Sequence, residues 1–143
     1  VSRDYVRAAE LFRKAADKGN VLAQARLGVM YQNGQGVQKD LGQAVSWYRK
    51  AAEQGNARAQ NDLGFMYGTG TGVARDYATA DGWYRKSAGQ GNVDAQVNMG
   101  VMCENGWGTD KSTTQALEWY RKASVEGSDR ATSAIARMAK AGN

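Results

Sequence analysis

The side chains in this sequence that are best suited to bind a ligand are those of four arginine–lysine pairs. The pairs recur every 36 residues, at Arg13-Lys14, Arg49-Lys50, Arg85-Lys86 and Arg121-Lys122. A guanidinium group forms two parallel hydrogen bonds with a carboxylate, so a regular row of arginines can bind an acidic segment or a chain terminus. In the alternative interpretation, the aliphatic stems cover neighbouring aromatic rings and the charged ends reach solvent. The structural role is the favoured interpretation of the four pairs. Binding of an acidic segment by the row of arginines is the competing hypothesis.

The residue types that most often carry catalysis are scarce in this chain. It has no histidine and a single cysteine, Cys103, which excludes a Cys–His nucleophile pair and a closed Cys/His zinc site. The carboxylates on the predicted helices lie beside basic residues, at Asp17, Glu53, Asp81 and Glu118. No pattern brings two of them together as an acid/base pair. We therefore predict a protein that is not an enzyme and has no catalytic residue, metal or cofactor; a hydrolase is the weakest alternative.

Composition places the chain among soluble globular proteins of one domain. Of its 143 residues, 42% are hydrophobic and 23% are charged, and no apolar run approaches the roughly 20 residues that span a bilayer. The net charge of +5 suits an acidic protein partner or a polyanion such as nucleic acid. Acidic residues interrupt the basic ones throughout the chain, which disfavours nucleic acid. A basic surface that binds nucleic acid or another polyanion is kept as the alternative function.

The arginine–lysine pairs belong to a longer pattern with the same period. One column contains only alanine, namely Ala8, Ala44, Ala80 and Ala116. An aromatic pair recurs as Trp47-Tyr48, Trp83-Tyr84 and Trp119-Tyr120, and begins less strictly as Leu11-Phe12. We therefore predict one repeat domain over 1–143. Its units are expected at 4–39, 40–75, 76–111 and 112–143, with residues 1–3 as the tail of a preceding loop.

Each unit is predicted to fold as two helices joined by short turns. The apolar face of the first helix carries Ala8, Leu11, Phe12 and Ala15. The expected N-caps of the first helices are Asp4, Asp40, Asp76 and Ser112. The second helix is expected from about residue 21 to 32, with an apolar face of Ala23, Leu27, Met30 and Tyr31. Close contact between backbones is expected at the repeated glycines Gly28, Gly64 and Gly100.

The combined motif resembles a known family. The alanine column, the aromatic pair, Lys-Ala-Ala, Ala-Gln, Leu-Gly and Gly-x-Gly-Val are similar to the Sel-1-like repeat, a relative of the tetratricopeptide repeat. The resemblance covers essentially the whole chain, and it implies an all-α fold: a right-handed α/α superhelical solenoid with a concave face. It also implies a role as an adaptor or scaffold and, for a bacterial protein, frequent export to the periplasm or the outside. A lone cysteine sets this chain apart from the members that carry a disulfide in each repeat.

The two ends of the chain suggest a fragment of a longer array. Val1-Ser2-Arg3-Asp4 matches Val37-Gln38-Lys39-Asp40, so the chain is expected to begin inside the loop of a preceding unit. In the last unit, Ala136 and Ala139 replace the glycine and tyrosine of earlier units, and Gly142-Asn143 is expected to stop the helix. Such a loss of motif is typical of the capping hairpin of a repeat array.

The third unit departs from the others around its arginine. Gly82 and Gly89 flank Arg85 where the first unit has Glu10 and Asp17. If this stripe faces the concave groove, Arg85 stands unpaired over a shallow hollow that a peptide backbone can approach closely. Sequence drift, at a cost of about 1 kcal/mol for each helical glycine, is the alternative.

Trp107 lies in a loop where the other units have Gln35 and Thr71, so packing of the repeat does not require an aromatic residue there. An exposed loop tryptophan is a typical anchor of a protein interface. Alternatively, Trp107 covers the next hairpin or fills the space left by Cys103.

Together these features predict a scaffold that binds a partner peptide or protein segment, acidic in the first hypothesis, on its concave face. The residues of this hypothetical binding site are Arg13, Arg49, Arg85, Arg121, Gly82, Gly89 and Trp107.

Overall fold

The computed structural model describes residues 2–142, which form eight helices and contain no strand. The helices are α1 (Ser2–Asp17), α2 (Val21–Asn33), α3 (Leu41–Glu53), α4 (Ala57–Thr69), α5 (Tyr77–Gly89), α6 (Val93–Asn105), α7 (Thr113–Val125) and α8 (Asp129–Ala141). Each helix packs chiefly against its neighbours in the sequence. The predicted all-α arrangement of helix-turn-helix units is confirmed. The expected roles of Val1 and Asn143 lie outside the described residues.

The helix ends follow the capping chemistry of the sequence. Asp40, Asp76 and Ser112 each accept a hydrogen bond from a backbone N–H of the first helical turn, as predicted. Asparagine or serine caps the second helix of each pair in the same way. These caps satisfy backbone donors that the helix itself leaves free, so the boundaries are local properties of the sequence.

Asp4 is the exception, and its predicted N-cap role is wrong. The first helix begins at Ser2, and Asp4 lies within its first turn. Asp40 is held in an extended conformation because its N–H donates to the carbonyl oxygen of Tyr31 in the preceding helix, at 2.9 Å. The described residues contain no helix before Asp4 to supply such a carbonyl. The segment expected to be a loop tail therefore continues the helix at residues 2–3.

The core lies at the junctions between successive hairpins. Trp47 of α3 is buried against Ala9, Ala16 and Leu27 of the first hairpin. Its counterpart Leu11 is 62% exposed, so the expectation that Leu11 packs in the core is wrong. The reason is the position in the array. A residue at this place in the repeat packs onto the preceding hairpin, and no such hairpin is described before α1.

The repeated helical glycines also have a different neighbour from the one expected. A Cβ atom added to Gly28 would lie 2.5 Å from the Tyr48 ring, and one added to Gly64 would lie 2.7 Å from the Tyr84 ring. Tyr48 and Tyr84 are both buried and come from the first helix of the following hairpin. The close approach is therefore between backbone and tyrosine ring rather than between two backbones.

Pairs of glutamines connect the first three hairpins to one another. Gln54 donates a hydrogen bond from Nε2 to Gln24 Oε1 at 2.8 Å, and Gln90 donates to Gln60 in the same way. At the next equivalent place, Gln96 Oε1 is buried and has no partner among the described residues. The residue that should donate to it is Glu126, and an ionised carboxylate can only accept.

Glu126→Gln is therefore expected to restore the missing hydrogen bond and to raise the free energy of unfolding by about 1 kcal/mol. The measurement is urea denaturation followed by circular dichroism. Glu53→Gln, which changes the same residue type at another exposed helix end, serves as the control and should have little effect. Equal effects from the two variants would show that a general charge effect, and not the hydrogen bond, is responsible.

Candidate functional site

The lysines of the last three pairs lie over the tryptophan rings of their own helices. The ammonium nitrogens of Lys50, Lys86 and Lys122 lie 4.4, 4.8 and 4.8 Å from the ring centres of Trp47, Trp83 and Trp119, respectively. These distances fall within the range of cation–π attraction. Trp47 is buried, while Trp83 and Trp119 are partly buried. The lysine column therefore covers the aromatic column, and its heads remain at the surface.

Two arginines are oriented by a tyrosine of the second helix in their own hairpin. Arg13 donates a hydrogen bond to the hydroxyl of Tyr31 at 3.0 Å, and Arg49 donates to the hydroxyl of Tyr67. The Arg49 guanidinium also lies 5.9 Å from the Tyr67 ring centre. A neutral hydroxyl fixes the direction of a guanidinium but leaves its positive charge in place. Tyr31 and Tyr67 thus orient two cations of the arginine row.

The charge environment differs along the row. Arg13 has Asp17 at 3.6 Å, in a pair that is half exposed on both sides. Arg49 is partly buried and Arg121 is exposed. Neither has a carboxylate within 4.0 Å in the described part of the chain. Arg49 is therefore the arginine of the row that is both oriented by a hydrogen bond and not neutralised by an acidic neighbour.

The expectation that Arg85 is unpaired is wrong. Its guanidinium lies 3.4 Å from both carboxylate oxygens of Asp81, one turn earlier on α5. Where the earlier hairpins have Tyr31 and Tyr67, this hairpin has the buried Cys103. No hydroxyl is then available to orient the guanidinium, and Arg85 turns to the carboxylate on its own helix.

The backbone near Arg85 is open to solvent at two glycines. Gly82 and Gly89 are exposed, and a Cβ atom added at either position would meet nothing within 4 Å. The two glycines thus leave bare backbone on one face of α5. A side chain could be accommodated at both places without a collision, so packing within the chain does not require glycine there.

Trp107 stacks on Tyr77 of the same hairpin. The ring centres are 5.1 Å apart and the ring planes differ by 4°. Trp107 nevertheless remains 40% exposed, and the nearby Phe65 is 45% exposed. The tryptophan is therefore held in a fixed orientation while much of its surface stays open to solvent.

Two acidic groups of the even-numbered helices are perturbed. Burial raises the pKa of Asp62 to about 6, and Arg58, 4.0 Å away, opposes that effect only in part. The pKa of Glu104 is lowered, chiefly by its hydrogen bonds with Arg137. One of those bonds measures 2.9 Å, and the same carboxylate accepts a hydrogen bond from the hydroxyl of Tyr120 at 2.9 Å. Glu104 thus links three helices, α6, α7 and α8.

Neither a metal site nor a membrane-spanning helix is found among residues 2–142. No group of three or more cysteine and acidic side chains is placed to bind a metal ion there. None of the helices described is long and apolar enough to cross a bilayer.

Sequence reasoning identified the arginine column but missed the groups that orient it. The apolar spacing places Tyr31 on the buried face of α2, yet Tyr31 is only partly buried and its hydroxyl accepts a hydrogen bond from Arg13. A signal was available in the sequence. The two hairpins that have Tyr31 or Tyr67 have no aspartate four residues before their arginine. Asp81 precedes Arg85 in the hairpin that has lost the tyrosine.

Comparison with known proteins gives a consistent result. The Sel1 repeat family model matches residues 1–20, 21–56, 57–92 and 93–128. Its units begin at the second helix of each hairpin, whereas the units predicted above begin at the first helix. No curated protein sequence matches the chain.

Three solved structures show the same architecture. The chain is 40% identical, with a TM-score of 0.90, to c5321, a protective antigen present in uropathogenic Escherichia coli strains that displays an SLR fold; the match covers 93% of this chain and 28% of that one. It is 35% identical, with a TM-score of 0.83, to a Sel1 repeat protein from Oxalobacter formigenes, over 88% of this chain and 52% of that one. It is 25% identical, with a TM-score of 0.71, to Helicobacter pylori cysteine rich protein B, over 93% and 96%.

This chain therefore spans about a quarter of the first structure and about half of the second. The predicted solenoid of helical hairpins is confirmed by the helices and by all three neighbours. Family matches across residues 1–128, together with the helical-hairpin fold, identify the chain as a member of the Sel1 repeat family.

Proposed function

We propose that this chain is a non-catalytic scaffold that binds an acidic segment of a partner protein on the concave face formed by its odd-numbered helices. Sel1 repeat proteins are generally protein-interaction scaffolds, and stacked repeats create extended surfaces of this kind. The observation that carries the proposal is Arg49, a cation oriented by Tyr67 with no carboxylate within 4.0 Å among the described residues.

Contacts between neighbouring first helices support a continuous binding surface. The Arg13 guanidinium of α1 lies 5.3 Å from the ring centre of Trp47 in α3. The same ring carries Lys50 on α3. Basic groups of the first two hairpins therefore share one aromatic ring instead of standing apart. A partner segment that runs along the odd-numbered helices would meet one basic group after another.

The electrostatics of this surface favour a carboxylate. An arginine whose direction is already fixed loses less conformational freedom when it binds, and it matches the planar geometry of a carboxylate. The direction of Arg49 is fixed in this way by the hydroxyl of Tyr67. Arg121 supplies a second cation without a close carboxylate among residues 2–142, and the open backbone at Gly82 and Gly89 lies between the two along the chain. Arg85 is held by Asp81 and contributes less.

The groove geometry supports binding more than catalysis. A groove with a volume of about 500 Å³ lies between α6, α7 and α8. Among its lining residues, Asp129 is the single carboxylate beside Arg130 and Arg137. Hydrolysis by paired carboxylates requires two such groups that face one bond. The hydrolase alternative therefore gains no support from this groove.

The test is selection from a displayed random-peptide library, followed by measurement of affinity for the selected peptides. We expect the protein to select peptides with an acidic residue or a free carboxyl terminus. Arg49→Gln should weaken their binding by about tenfold, which corresponds to the loss of one charge-assisted hydrogen bond.

Two further variants control this experiment. Arg26→Gln removes the same charge from α2 and should leave binding unchanged. Tyr67→Phe keeps the charge of Arg49 but removes the hydroxyl that orients it, so a smaller loss is expected. If Arg49→Gln and Arg26→Gln weaken binding equally and the effect disappears in high salt, the chain is a general polyanion binder and the proposal is wrong.

A further inference from the structure

A tyrosine hydroxyl at each hairpin junction is paired with the preceding second helix, except at one junction. Tyr48 donates to Gln32 Oε1 at 2.6 Å, and Tyr120 donates to Glu104 Oε1 at 2.9 Å. The residue that occupies the same place before Tyr84 is Gly68. It has no side chain, so the acceptor that the other two junctions contain is missing.

A cavity of about 150 Å³ lies at this place. Its lining residues are Phe65, Gly68, Thr69, Tyr77, Tyr84, Asn98, Val101, Met102 and Trp107. Tyr84 is only 5% exposed, and its hydroxyl makes no hydrogen bond with any other residue from 2 to 142. A Cβ atom added at Gly68 would lie 3.6 Å from that hydroxyl oxygen. The missing glutamine or glutamate side chain has thus left a space beside the hydroxyl of Tyr84.

The hydroxyl of Tyr84 remains a neutral donor at physiological pH. Burial raises its pKa well above the ordinary value for tyrosine. Its hydroxyl has no acceptor among residues 2–142, and an occupant that supplies one would complete its hydrogen bonding.

The rim of the cavity is aromatic and exposed. Phe65 and Trp107 both line it, and they are 45% and 40% exposed, respectively. Trp107 is fixed by its stacking on Tyr77. Rigid aromatic residues around a small polar site are typical of the anchoring positions of protein interfaces. The repeat itself does not require an aromatic residue at the position of Trp107.

The charge of the surroundings distinguishes between the possible acceptors. At the last junction, the carboxylate of Glu104 is neutralised by Arg137, which lies 33 residues later. The residue 33 positions after Gly68 is Val101, and the residue 33 positions after Gln32 is Phe65. The junction with a nearby arginine has glutamate, and the junction with an apolar residue has glutamine. No charged side chain lines the cavity, so it resembles the glutamine junction.

We propose that this cavity is a binding site for the carboxamide side chain of a glutamine or asparagine in a partner protein. The carboxamide oxygen accepts from the hydroxyl of Tyr84, in the place that Gln32 occupies beside Tyr48, and the residues that flank it in the partner pack on Phe65 and Trp107. The inference rests on the proposed role as a protein-binding scaffold, but it uses none of the residues of the arginine row.

The test uses an array of peptides with a central residue X flanked by leucines, where X is Gln, Asn, Glu, Ala or Leu. The unmodified protein should bind the Gln or Asn peptides about tenfold more tightly than the Leu peptide, because a polar pocket rejects a side chain that leaves its donor unpaired. The Glu peptide should bind less tightly than the Gln peptide at pH 7.

The matched variants are Gly68→Gln and Gly68→Ala. Gly68→Gln supplies the acceptor from within the chain, so the preference for Gln and Asn should disappear. Gly68→Ala adds a methyl group at ordinary contact distance and leaves the donor unpaired, so the preference should remain. Tyr84→Phe should abolish the preference, whereas Tyr48→Phe, which breaks only the internal bond to Gln32, should not.

The inference is overturned if X makes no difference, if Glu is preferred, or if Gly68→Gln retains the preference. Water alone would then occupy the cavity. Its failure is distinguishable from failure of the proposed function. If Arg49→Gln weakens selected acidic peptides while Gly68→Gln changes nothing, the arginine row stands and this site does not. The reverse pattern supports this site and refutes the arginine row.

Discussion

Replacing Gly100 with alanine is expected to lower the free energy of unfolding by about 2 kcal/mol, because the new methyl group would overpack a close contact. The added Cβ would lie 2.6 Å from Cδ1 of Tyr120 and 2.8 Å from Cζ. Tyr120 cannot move aside easily, since it is 1% exposed and its hydroxyl is bonded to Glu104. Glu104 is in turn held by Arg137 of α8. The strain should therefore spread across α6, α7 and α8.

The control for this substitution is Gly82→Ala. Gly82 also lies inside a helix, but a Cβ added there meets nothing within 4 Å. Alanine is a better helix former than glycine, so Gly82→Ala should raise the free energy of unfolding by about 0.5–1 kcal/mol. The opposite signs separate the packing role of Gly100 from the propensity of glycine in general. Urea denaturation of the three proteins, followed by circular dichroism, measures both effects.

The explanation is contradicted if Gly100→Ala lowers the free energy of unfolding by the same amount in the presence and in the absence of Tyr120→Leu. Leucine removes most of the ring that the new methyl group would strike. The double variant should therefore lose less stability than the sum of the two single variants, as expected for residues in direct contact.

The second large effect is expected for Gly108→Ala, in the loop that carries Trp107. Gly108 has a φ of +71°, and an added Cβ would lie 2.6 Å from the carbonyl carbon of Tyr77 and close to its oxygen. Alanine would meet two penalties: about 1–2 kcal/mol for the left-handed backbone and about 1–3 kcal/mol for the collision. Because the colliding atoms belong to the backbone, a rotamer change cannot relieve them. We expect a loss of about 3 kcal/mol.

Gly127→Ala is the matched control for Gly108→Ala. Gly127 has a φ of +94°, but an added Cβ meets nothing within 4 Å. Its replacement should cost about 1–2 kcal/mol, the backbone penalty alone. The difference between the two variants measures the collision with Tyr77. Equal losses would mean that the loop shifts freely away from α5.

Gly108→Ala also tests the aromatic stack beside the loop. If the loop moves away from Tyr77, the stacking of Trp107 on that ring should be lost, and the fluorescence of Trp107 should shift towards that of a solvated indole. Subtracting the spectrum of Trp107→Phe isolates this contribution from the other three tryptophans. An unchanged Trp107 spectrum in a destabilised protein would place the strain elsewhere.

Helix boundaries and the repeat could be predicted because they depend on short-range chemistry. The caps at Asp40, Asp76 and Ser112 bond to N–H groups three residues away. The apolar spacing of α2 is complete within one helix, and the predicted end near residue 32 differs from the observed Asn33 by one position. Two residues are exceptions. Asp4 does not cap its helix and Leu11 is not buried, because both roles depend on contacts with a preceding hairpin.

The site could be predicted only in part, for the same physical reason. The sequence identified the arginine column and the unusual character of Gly82, Gly89 and Trp107. It did not reveal that Arg49 is oriented by Tyr67, since the two residues are 18 positions apart. The pairing of Arg85 with Asp81 was visible in the spacing, but the choice of that partner followed from Cys103, on another helix, replacing a tyrosine.

The sequence by itself thus determined the period, the helices and the family of this protein, because each 36-residue motif contains its own caps, turns and apolar faces. Only the tertiary structure decided which polar groups are satisfied, because that depends on which side chains meet when hairpins stack. Tyr48, Tyr84 and Tyr120 are equivalent in sequence, yet the first meets Gln32, the last meets Glu104, and Tyr84 meets the bare backbone of Gly68. At that junction the single absent side chain leaves a cavity, and the hydroxyl beside it has no acceptor among the described residues.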